Sequence, residues 1–316
     1  MATTTVGALV APAVGWAQTY PSRPVRLVVP FAPGGTTDLI SRIVSEKLSA
    51  VWGQPVVVEN RTGGGGTVGS MEVVRSAPDG YTLGMATVST LATHPAVNPK
   101  LPYDPSHDFT PISNLAATPN VLVVHPTFPA RSYAAFLQEL KRRPGKYSYA
   151  SSGHGGMSHL QAELFKSLTG TDLLHVPYRG AAPALDDTLA GQVPVMIDNV
   201  PTALPFIQEG RLIAMAVSAP QRLNTLPNVP TFKELGLPEV NRLAFYGLVG
   251  PRGMPRHIVE KINVAVRRTL EDPGVKRHIE ALGCWILGNT PEQFTQQMRA
   301  EADAYRLVSK KQNLSF

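Results

Sequence analysis

A loop near the start of the chain combines glycines with small polar residues, a composition suited to binding an anion. It reads Phe31-Ala32-Pro33-Gly34-Gly35-Thr36-Thr37-Asp38 and links a predicted strand to a predicted helix. Gly34 and Gly35 allow a tight turn with bare backbone, and Thr36, Thr37 and Asp38 are residue types that cap helices. The N–H groups and partial positive charge of a helix N-terminus attract negative charge. By itself, the junction is also typical of an ordinary strand-to-helix turn.

Other polar segments also follow predicted strands. Thr87 and Ser89 come after one strand, where their hydroxyls would donate to an oxyanion or cap the next helix. A second segment has small residues that leave its amides open, and its candidate contacts are Ser152, Gly153, His154, Gly155 and His159.

These residues do not form a recognisable catalytic or metal motif. Ser152, His159 and Asp198 are the residue types of a hydrolase, but the chain has no G-x-S-x-G elbow. His159 and Glu163 are four residues apart, as in half of a metal site, yet no third ligand has diagnostic spacing. We therefore expect no metal site and no enzyme activity, with a hydrolase as the less favoured alternative.

The glycine-rich segment 63–66 offers a weak alternative. Gly64, Gly66 and Gly69 match the pattern G-x-G-x-x-G between a predicted strand and a predicted helix. No acidic residue stands at a strand end about twenty residues further on, where a dinucleotide site needs one. We therefore expect no cofactor.

Short apolar runs alternate with helical segments along the whole chain. The helix after the first loop spans Asp38 to Val51 and has apolar residues on one face. We expect strands at 25–29, 56–58, 81–86, 112–116, 121–124, 147–150, 173–176, 195–197, 213–217, 244–249 and 284–287. This alternation predicts an α/β fold of parallel-rich sheets with helices on both faces. Ligands of such folds bind outside the carboxyl ends of the strands.

Composition restricts the remaining classes of protein. The 316 residues are 43% hydrophobic, which is enough for the cores of two domains. The net charge is +6, but Lys and Arg are scattered and are not interleaved with aromatic residues, so nucleic-acid binding is not expected. The single cysteine, Cys284, excludes an internal disulfide. Residues 1–17 carry no charge and end at Ala17, and we interpret them as the remnant of a signal peptide.

Several motifs resemble the Bug family, the solute-binding proteins of tripartite tricarboxylate transporters. Besides the first loop, they are Glu59-Asn60-Arg61 before the four glycines, Ser151-Ser152-Gly153 with His159-Leu160, His175-Val176-Pro177-Tyr178-Arg179-Gly180, Asp198-Asn199 and the aromatic Phe245. They occur in the family's order and extend over almost all of the chain, from Tyr20 to about Leu307. One departure is Gly156, where the family often has a serine.

The resemblance implies a two-lobed, type II periplasmic binding-protein fold with the ligand cleft between the lobes. Residues 18–118 and 243–316 would form the first lobe, and residues 119–242 the second. The implied ligand is a small carboxylate, such as a dicarboxylate, tricarboxylate, amino acid or aromatic acid. The implied partners are the membrane permease subunits of a tripartite tricarboxylate transporter, and the receptor would be a monomer in the periplasm.

The resemblance and the loops together give one set of candidate ligand contacts. They are Phe31, Ala32, Gly34, Gly35, Thr36, Asp38, Thr87, Ser89, Ser152, Gly153, His154, Gly155, His159, Tyr178, Arg179, Asp198 and Phe245. The resemblance implies that Tyr178 flanks the ligand and that Arg179 lines the mouth of the cleft, with a solvated loop charge as the alternative for Arg179. It implies that Asp198 reads an amine or hydroxyl or fixes loop amides, with a helix N-cap as the alternative. Phe245 would either stack on the ligand or fill the core. Two other functions stay open: a ligand-sensing protein for a membrane signalling system, which would use the same hinge closure, and a hydrolase.

Overall fold

The computed structural model describes residues 20–315, so the predicted signal-peptide remnant lies outside the described residues. The chain begins with β1 (Val25–Val29), α1 (Thr36–Trp52), β2 (Val56–Asn60), α2 (Thr67–Val74), β3 (Thr82–Thr87), α3 (His94–Val97) and β4 (Phe109–Thr118). It continues with β5 (Asn120–Val124), α4 (Tyr133–Arg142), β6 (Ser148–Ser151), α5 (Met157–Thr169), β7 (Leu174–Pro177), α6 (Ala181–Leu189), β8 (Val195–Asn199), α7 (Val200–Gln208) and β9 (Ile213–Ser218). The last elements are β10 (Ala244–Pro251), α8 (Arg256–Glu271), α9 (Pro273–Ala281), β11 (Trp285–Ile286) and α10 (Pro291–Lys311).

Two sheets divide these strands and define two lobes. The first lobe is built on a six-stranded sheet with the order β11-β4-β10-β3-β1-β2. The second lobe is built on a five-stranded sheet with the order β7-β6-β8-β5-β9. All five residues of β5 are buried, as expected of an apolar central strand. The predicted two-lobed α/β fold is therefore present.

Both sheets are mixed, which differs from the parallel-rich sheets that the alternation predicted. β1 pairs in parallel with β2 and β3, whereas β10 runs antiparallel to both β3 and β4. In the second sheet, β5 runs antiparallel to β8 and β9. The reason is that β4 and β5 carry the chain out of one lobe and β10 brings it back, so these strands do not follow the strand–helix–strand pattern.

Residues close in sequence determine the conformation of the first loop and of helix α1. Ile40, Val44 and Leu48 on α1 are buried at helical spacing, and Gly53 ends the helix with a left-handed φ of 63°. The cap prediction is corrected, because Gly35 occupies the N-cap position while Thr36, Thr37 and Asp38 lie in the first turn. Gly34, with φ of 85°, makes the turn before it.

The two lobes are joined by two chain connections. Only Pro119 separates β4 of the first sheet from β5 of the second. The return connection lies between Ser218 and Ala244, and buried Gln161 donates to the carbonyl oxygens of Val240 and Arg242 within it. No helix of the described residues is long and apolar enough to cross a membrane.

Candidate functional site

A cavity lies between the lobes where loops from both sheets meet. The first lobe lines it with Phe31, Gly35, Thr36 and Thr37 of the loop after β1, with Thr87, Val88 and Ser89 after β3, and with Ala244, Phe245 and Tyr246 of β10. The second lobe lines it with Asn120, Ser152, Met157, Ser158, Ala181, Ile197, Asp198 and Asn199. Polar residues of both lobes therefore converge on one space between the sheets.

Four helices direct their N-termini at this cavity. Gly35 and Thr36 begin α1, Met157 begins α5, Ala181 begins α6 and Asn199 precedes α7. Each of these residues lines the cavity. A helix N-terminus carries about half a positive charge and N–H groups without a helical partner, although here Met157 N already donates to Ser89 and Val200 N to Pro119. The cavity is therefore an electropositive environment, although none of the described residues that line it is Lys, Arg or His.

Asp38 organises the first loop instead of lining the cavity. Its carboxylate accepts hydrogen bonds from the backbone N–H of Gly34 at 3.0 Å, from Arg42 Nε at 2.9 Å and from Asn60 Nδ2 at 2.9 Å. The same Asn60 amide also donates to the carbonyl oxygen of Phe31. Burial alone would raise the pKa of Asp38, but the hydrogen bonds from Arg42, Gly34 and Asn60 outweigh it and hold the pKa below its usual value.

A buried polar chain on the opposite wall begins at Asp198. This carboxylate accepts a hydrogen bond from the Thr202 hydroxyl at 2.7 Å. Burial raises the pKa of Asp198 to about 7, although hydrogen bonds from Thr202 and from the backbone of Asn199 oppose the shift. The Asn199 side chain donates to Asn120 Oδ1 and accepts from the Tyr246 hydroxyl of the other lobe at 2.9 Å.

Direct contacts between the lobes close the cavity. Met157 N donates to Ser89 Oγ at 3.0 Å, and the Thr93 hydroxyl donates to the Gly155 carbonyl at 3.0 Å. Ala32 N donates to the carbonyl oxygen of Arg179 at 3.2 Å. The structure therefore has the lobes in a closed arrangement.

A second space lies beside the cavity and shares Phe31 and Ser152 with it. It is lined by the four glycines 63–66, Ser152, Gly153, His154, Tyr178 and Arg179. All four glycines 63–66 have positive φ. The His94 ring reaches across here, with Nε2 at 2.7 Å from the carbonyl oxygen of His154. We call this region the mouth of the cleft.

Three histidines of the second lobe form a cluster behind the mouth. The rings of His159 and His175 stack with centroids 3.8 Å apart, and the His154 ring lies 4.9 Å from that of His159. His159 Nδ1 accepts from the backbone N–H of Gly155. Burial, and next the neighbouring histidines, lower the pKa of His159 to about 2, and burial lowers that of His175 to about 4. Both rings are therefore neutral at pH 7.

The candidate contacts divide into three groups by position. Phe31, Gly35, Thr36, Thr87, Ser89, Ser152, Asp198 and Phe245 line the cavity. Gly153, His154, Tyr178 and Arg179 line the mouth. Ala32, Gly34, Asp38, Gly155 and His159 line neither space and instead make the contacts described above between loops or lobes. Phe245 fits both of its alternatives, because it lines the cavity and packs edge-on against Phe294.

The list of candidate contacts omitted several cavity residues. Asn120, Asn199 and Tyr246 line the cavity. Asn199 belongs to the Asp198-Asn199 motif, and Tyr246 is the immediate neighbour of Phe245. Asn120 directly follows Pro119, where the chain crosses between the lobes. Its position at the cavity can therefore be inferred only once the fold is known. No cluster of metal-binding side chains is found in the described part of the chain.

Each of the three hydrolase residue types has a hydrogen-bond partner outside the set. Ser152 Oγ lies 3.1 Å from Ser158 Oγ, His159 Nδ1 accepts from Gly155, and Asp198 accepts from Thr202. A nucleophile, base and orienting acid would instead be linked in series.

Comparison with known proteins identifies the family. A sequence model described as the tripartite tricarboxylate transporter family receptor matches residues 40–314. The chain is 37% identical to the protein BugT of Bordetella pertussis over 278 residues, covering 88% of this chain and 85% of that protein.

Solved structures agree with this match. A periplasmic transporter structure is 48% identical, with a TM-score of 0.91 over 94% of this chain and 99% of that one. A Rhodopseudomonas palustris protein with adipate is 34% identical, with a TM-score of 0.89 over 94% and 99% of the two chains. MatC of the same organism, with bound malate, is 34% identical with a TM-score of 0.88 over 92% and 99%. The chain belongs to the receptor family of the tripartite tricarboxylate transporters, which includes the Bug proteins.

Proposed function

We propose that this protein is a periplasmic receptor that encloses a small carboxylate between its lobes and delivers it to the membrane permease subunits of a tripartite tricarboxylate transporter. Hinge closure would couple binding to delivery, because the ligand would contact both lobes only in the closed form. The lobes would be residues 18–118 with 243–316 and residues 119–242, and the receptor would act as a monomer. We infer no enzyme activity, metal or cofactor.

The convergence of four helix N-termini on one enclosed cavity is the observation that carries the proposal. One belongs to the first lobe (α1) and three to the second (α5, α6 and α7). Their oriented amides would neutralise an anion without a cationic side chain, because their dipoles are fixed before the ligand arrives. Adipate and malate in the two solved relatives make a dicarboxylate the first class to test.

The first experiment identifies the ligand. Freshly purified protein is denatured, and the released small molecules are identified by mass spectrometry. Calorimetry with malate, succinate, adipate, glutamate and benzoate then ranks affinities, and analysis of the recovered ligand checks for turnover. Release or binding of a carboxylate supports the receptor. The proposal fails if no acid binds, or if the acid is chemically converted.

A pair of variants tests how the anion is held. The φ of Gly35 is −77°, which any residue can adopt. Backbone strain therefore does not exclude a side chain here, contrary to what the glycine identity suggested. A Cβ at Gly35 would lie 3.6 Å from Ala181 Cβ of the other lobe, so the branches of Gly35→Val would enter the cavity or the lobe contact. Arg179→Ala removes only an exposed charge at the mouth. We expect Gly35→Val to weaken binding at least about tenfold and Arg179→Ala to weaken it by less than about threefold. The reverse order would mean that a salt bridge holds the anion.

Location and processing are tested separately. The uncharged leader predicts a mature N-terminus close to Gln18 in periplasmic material, measured by mass spectrometry. A cytoplasmic protein that retains Met1 would contradict this part of the proposal.

A further inference from the structure

Asp198 is the only acidic or basic side chain that lines the cavity in the described residues. It lies at the end of β8, directly before the N-terminus of α7, and is 4% exposed. Its hydrogen-bond donors are a hydroxyl and a backbone amide, from Thr202 and Asn199. Neither donor is a cation, so only the partial positive charges of the helix N-termini offset a full negative charge beside an anionic ligand in the described residues.

The titratable groups on neighbouring elements have partners of their own. Tyr246 on β10 faces Asp198 and donates to Asn199, with Cys284 beyond it. On α5, Lys166 pairs with Glu163, which also accepts from Tyr149 of β6. His159 of α5 stacks on His175. On α6, Asp187 accepts from Tyr178 and Asp186 is exposed. None of these groups is among the causes that shift Asp198, where burial dominates.

A carboxylate ligand and an ionised Asp198 would repel each other in this enclosed space. Two carboxylates that share a buried site cannot both stay ionised without a cation between them, and one of them takes up a proton. A neutral carboxylic acid then becomes a hydrogen-bond donor, which an anion needs. Because burial has already raised the pKa of Asp198 to about 7, a small further rise is enough to keep this carboxyl group protonated near neutral pH.

We propose that Asp198 binds the ligand as the neutral acid and donates its own O–H to the ligand carboxylate, so that the receptor takes up a proton from solvent when it binds. The proton joins a carboxylate oxygen of Asp198, and no bond of the ligand changes. This inference rests on the proposed function, because it requires an anionic ligand in this cavity. It makes Asp198 the residue that selects carboxylates over ammonium-bearing ligands.

Proton uptake is measured on the wild-type protein. The ligand is the acid that binds most tightly among malate, succinate, adipate, glutamate and benzoate. It is titrated calorimetrically at pH 8 in phosphate and in Tris. Because the ionisation heats of these buffers differ, the two binding enthalpies give the number of protons taken up on binding. We expect uptake approaching one proton and a fall in affinity of about fivefold between pH 7 and pH 8. The direction follows because a group whose pKa rises on binding favours the complex at low pH.

Two variants separate Asp198 from the rest of the protein. Asp198→Asn carries a permanent amide donor of the same shape, so we expect its proton uptake and its pH dependence to disappear and its affinity at pH 8.5 to exceed that of the wild type. Asp186→Asn removes an exposed acid on α6 and should follow the wild-type curve.

Three results would overturn the inference. Binding without proton uptake, or with proton release, would mean that Asp198 is ionised in the complex and accepts from a donor of the ligand. Loss of binding in Asp198→Asn would mean the same. If the wild type binds none of the five acids, the proposed function fails together with this inference, whereas the first two results leave the receptor function intact.

Discussion

Asp38 illustrates how a charged residue next to a binding cavity can act on the loop instead of the ligand. Its carboxylate holds Gly34, Arg42 and Asn60 at hydrogen-bond distance, and Asn60 in turn holds Phe31. The sequence placed Asp38 at the right loop, but residue type could not tell a ligand contact from a support. That distinction depends on Asn60, which reaches the loop from the neighbouring strand β2.

Removing Asp38 should loosen this loop. In Asp38→Ala, the exposed backbone amide of Gly34 and the half-buried side-chain amide of Asn60 lose a charged acceptor, and we expect a loss of about 1–3 kcal/mol in the free energy of unfolding. Ligand affinity should also fall, because the N-terminus of α1 is no longer held in place. Urea unfolding and calorimetry measure the two effects. The control is Asp303→Ala, whose exposed pair with Arg306 should contribute less than about 0.5 kcal/mol. Equal effects of the two substitutions would contradict the supporting role.

The stacked histidines predict acid sensitivity. His159 and His175 are neutral in the folded protein with pKa values of about 2 and about 4, whereas an unfolded histidine titrates near its usual value of 6.5. Below about pH 6.5 the unfolded chain binds protons that the folded chain does not, so stability falls as the pH falls. His175→Gln keeps a polar group for Ser151 and removes one of these titrations. We expect it to lose less stability than the wild type between pH 7.5 and pH 5 in urea unfolding.

The exposed His257 supplies the comparison for this measurement. His257→Gln should show the wild-type loss of stability over the same pH range. If His175→Gln also does so, the buried stack is not the source of the acid sensitivity.

At the scale of elements, the sequence predicted individual strands and helices better than it predicted which strands pair. β1 was predicted with its observed bounds, and the loop and α1 that follow it are set by residues close in sequence. The position of β10 between β3 and β4, and the approach of His94 to His154, join residues far apart in the chain. Periodicity carries no information on such contacts, which is why the mixed sheets and the lobe contacts were missed.

The four glycines at the mouth are an element whose role depends on this long-range contact. Gly65 has φ of 61°, and a Cβ there would lie 2.5 Å from the backbone oxygen of His154 and 2.4 Å from His94 Nε2. The His94 ring is buried in the same lobe, whereas the carbonyl belongs to the other lobe. A side chain at Gly65 is therefore incompatible with the closed cleft.

Gly65→Ala should shift the protein towards the open form. We expect weaker ligand binding, by at least about tenfold, and a larger radius of gyration with ligand in small-angle scattering. Gly53→Ala is the matched control, since Gly53 has φ of 63° but no atom within 4 Å of the added Cβ. Both substitutions carry a similar backbone strain of about 1 kcal/mol, so the contacts with His94 and with the carbonyl oxygen of the other lobe separate them. The same affinity in both variants would show that the glycines serve the turn alone.

At the scale of the molecule, the cavity exists only because the two lobes meet. Its lining comes from both sheets, and Tyr246 and Asn199 join the polar chains of the two lobes. The resemblance supplied this arrangement, because neither crossing strand had a clear signal of its own in the sequence. Receptors of this kind bind by shifting a hinge equilibrium, so closure should be measurable apart from affinity.

A cross-link between the lobes tests closure directly. A Cβ added at Gly34 would lie 3.5 Å from Ala182 Cβ of the other lobe, within the range of Cβ separations in disulfides. In the double variant Gly34→Cys with Ala182→Cys, the two thiols can meet only when the cleft is closed. We expect ligand to speed disulfide formation, which is followed by gel mobility. We also expect the oxidised protein to release bound ligand at least about tenfold more slowly than the reduced protein, as measured by dilution of labelled ligand.

The native Cys284 is buried and should not compete. The two single-cysteine variants control for the positive φ of 85° at Gly34, which adds strain without a cross-link. If oxidation proceeds at the same rate with and without ligand, binding does not drive closure of these lobes.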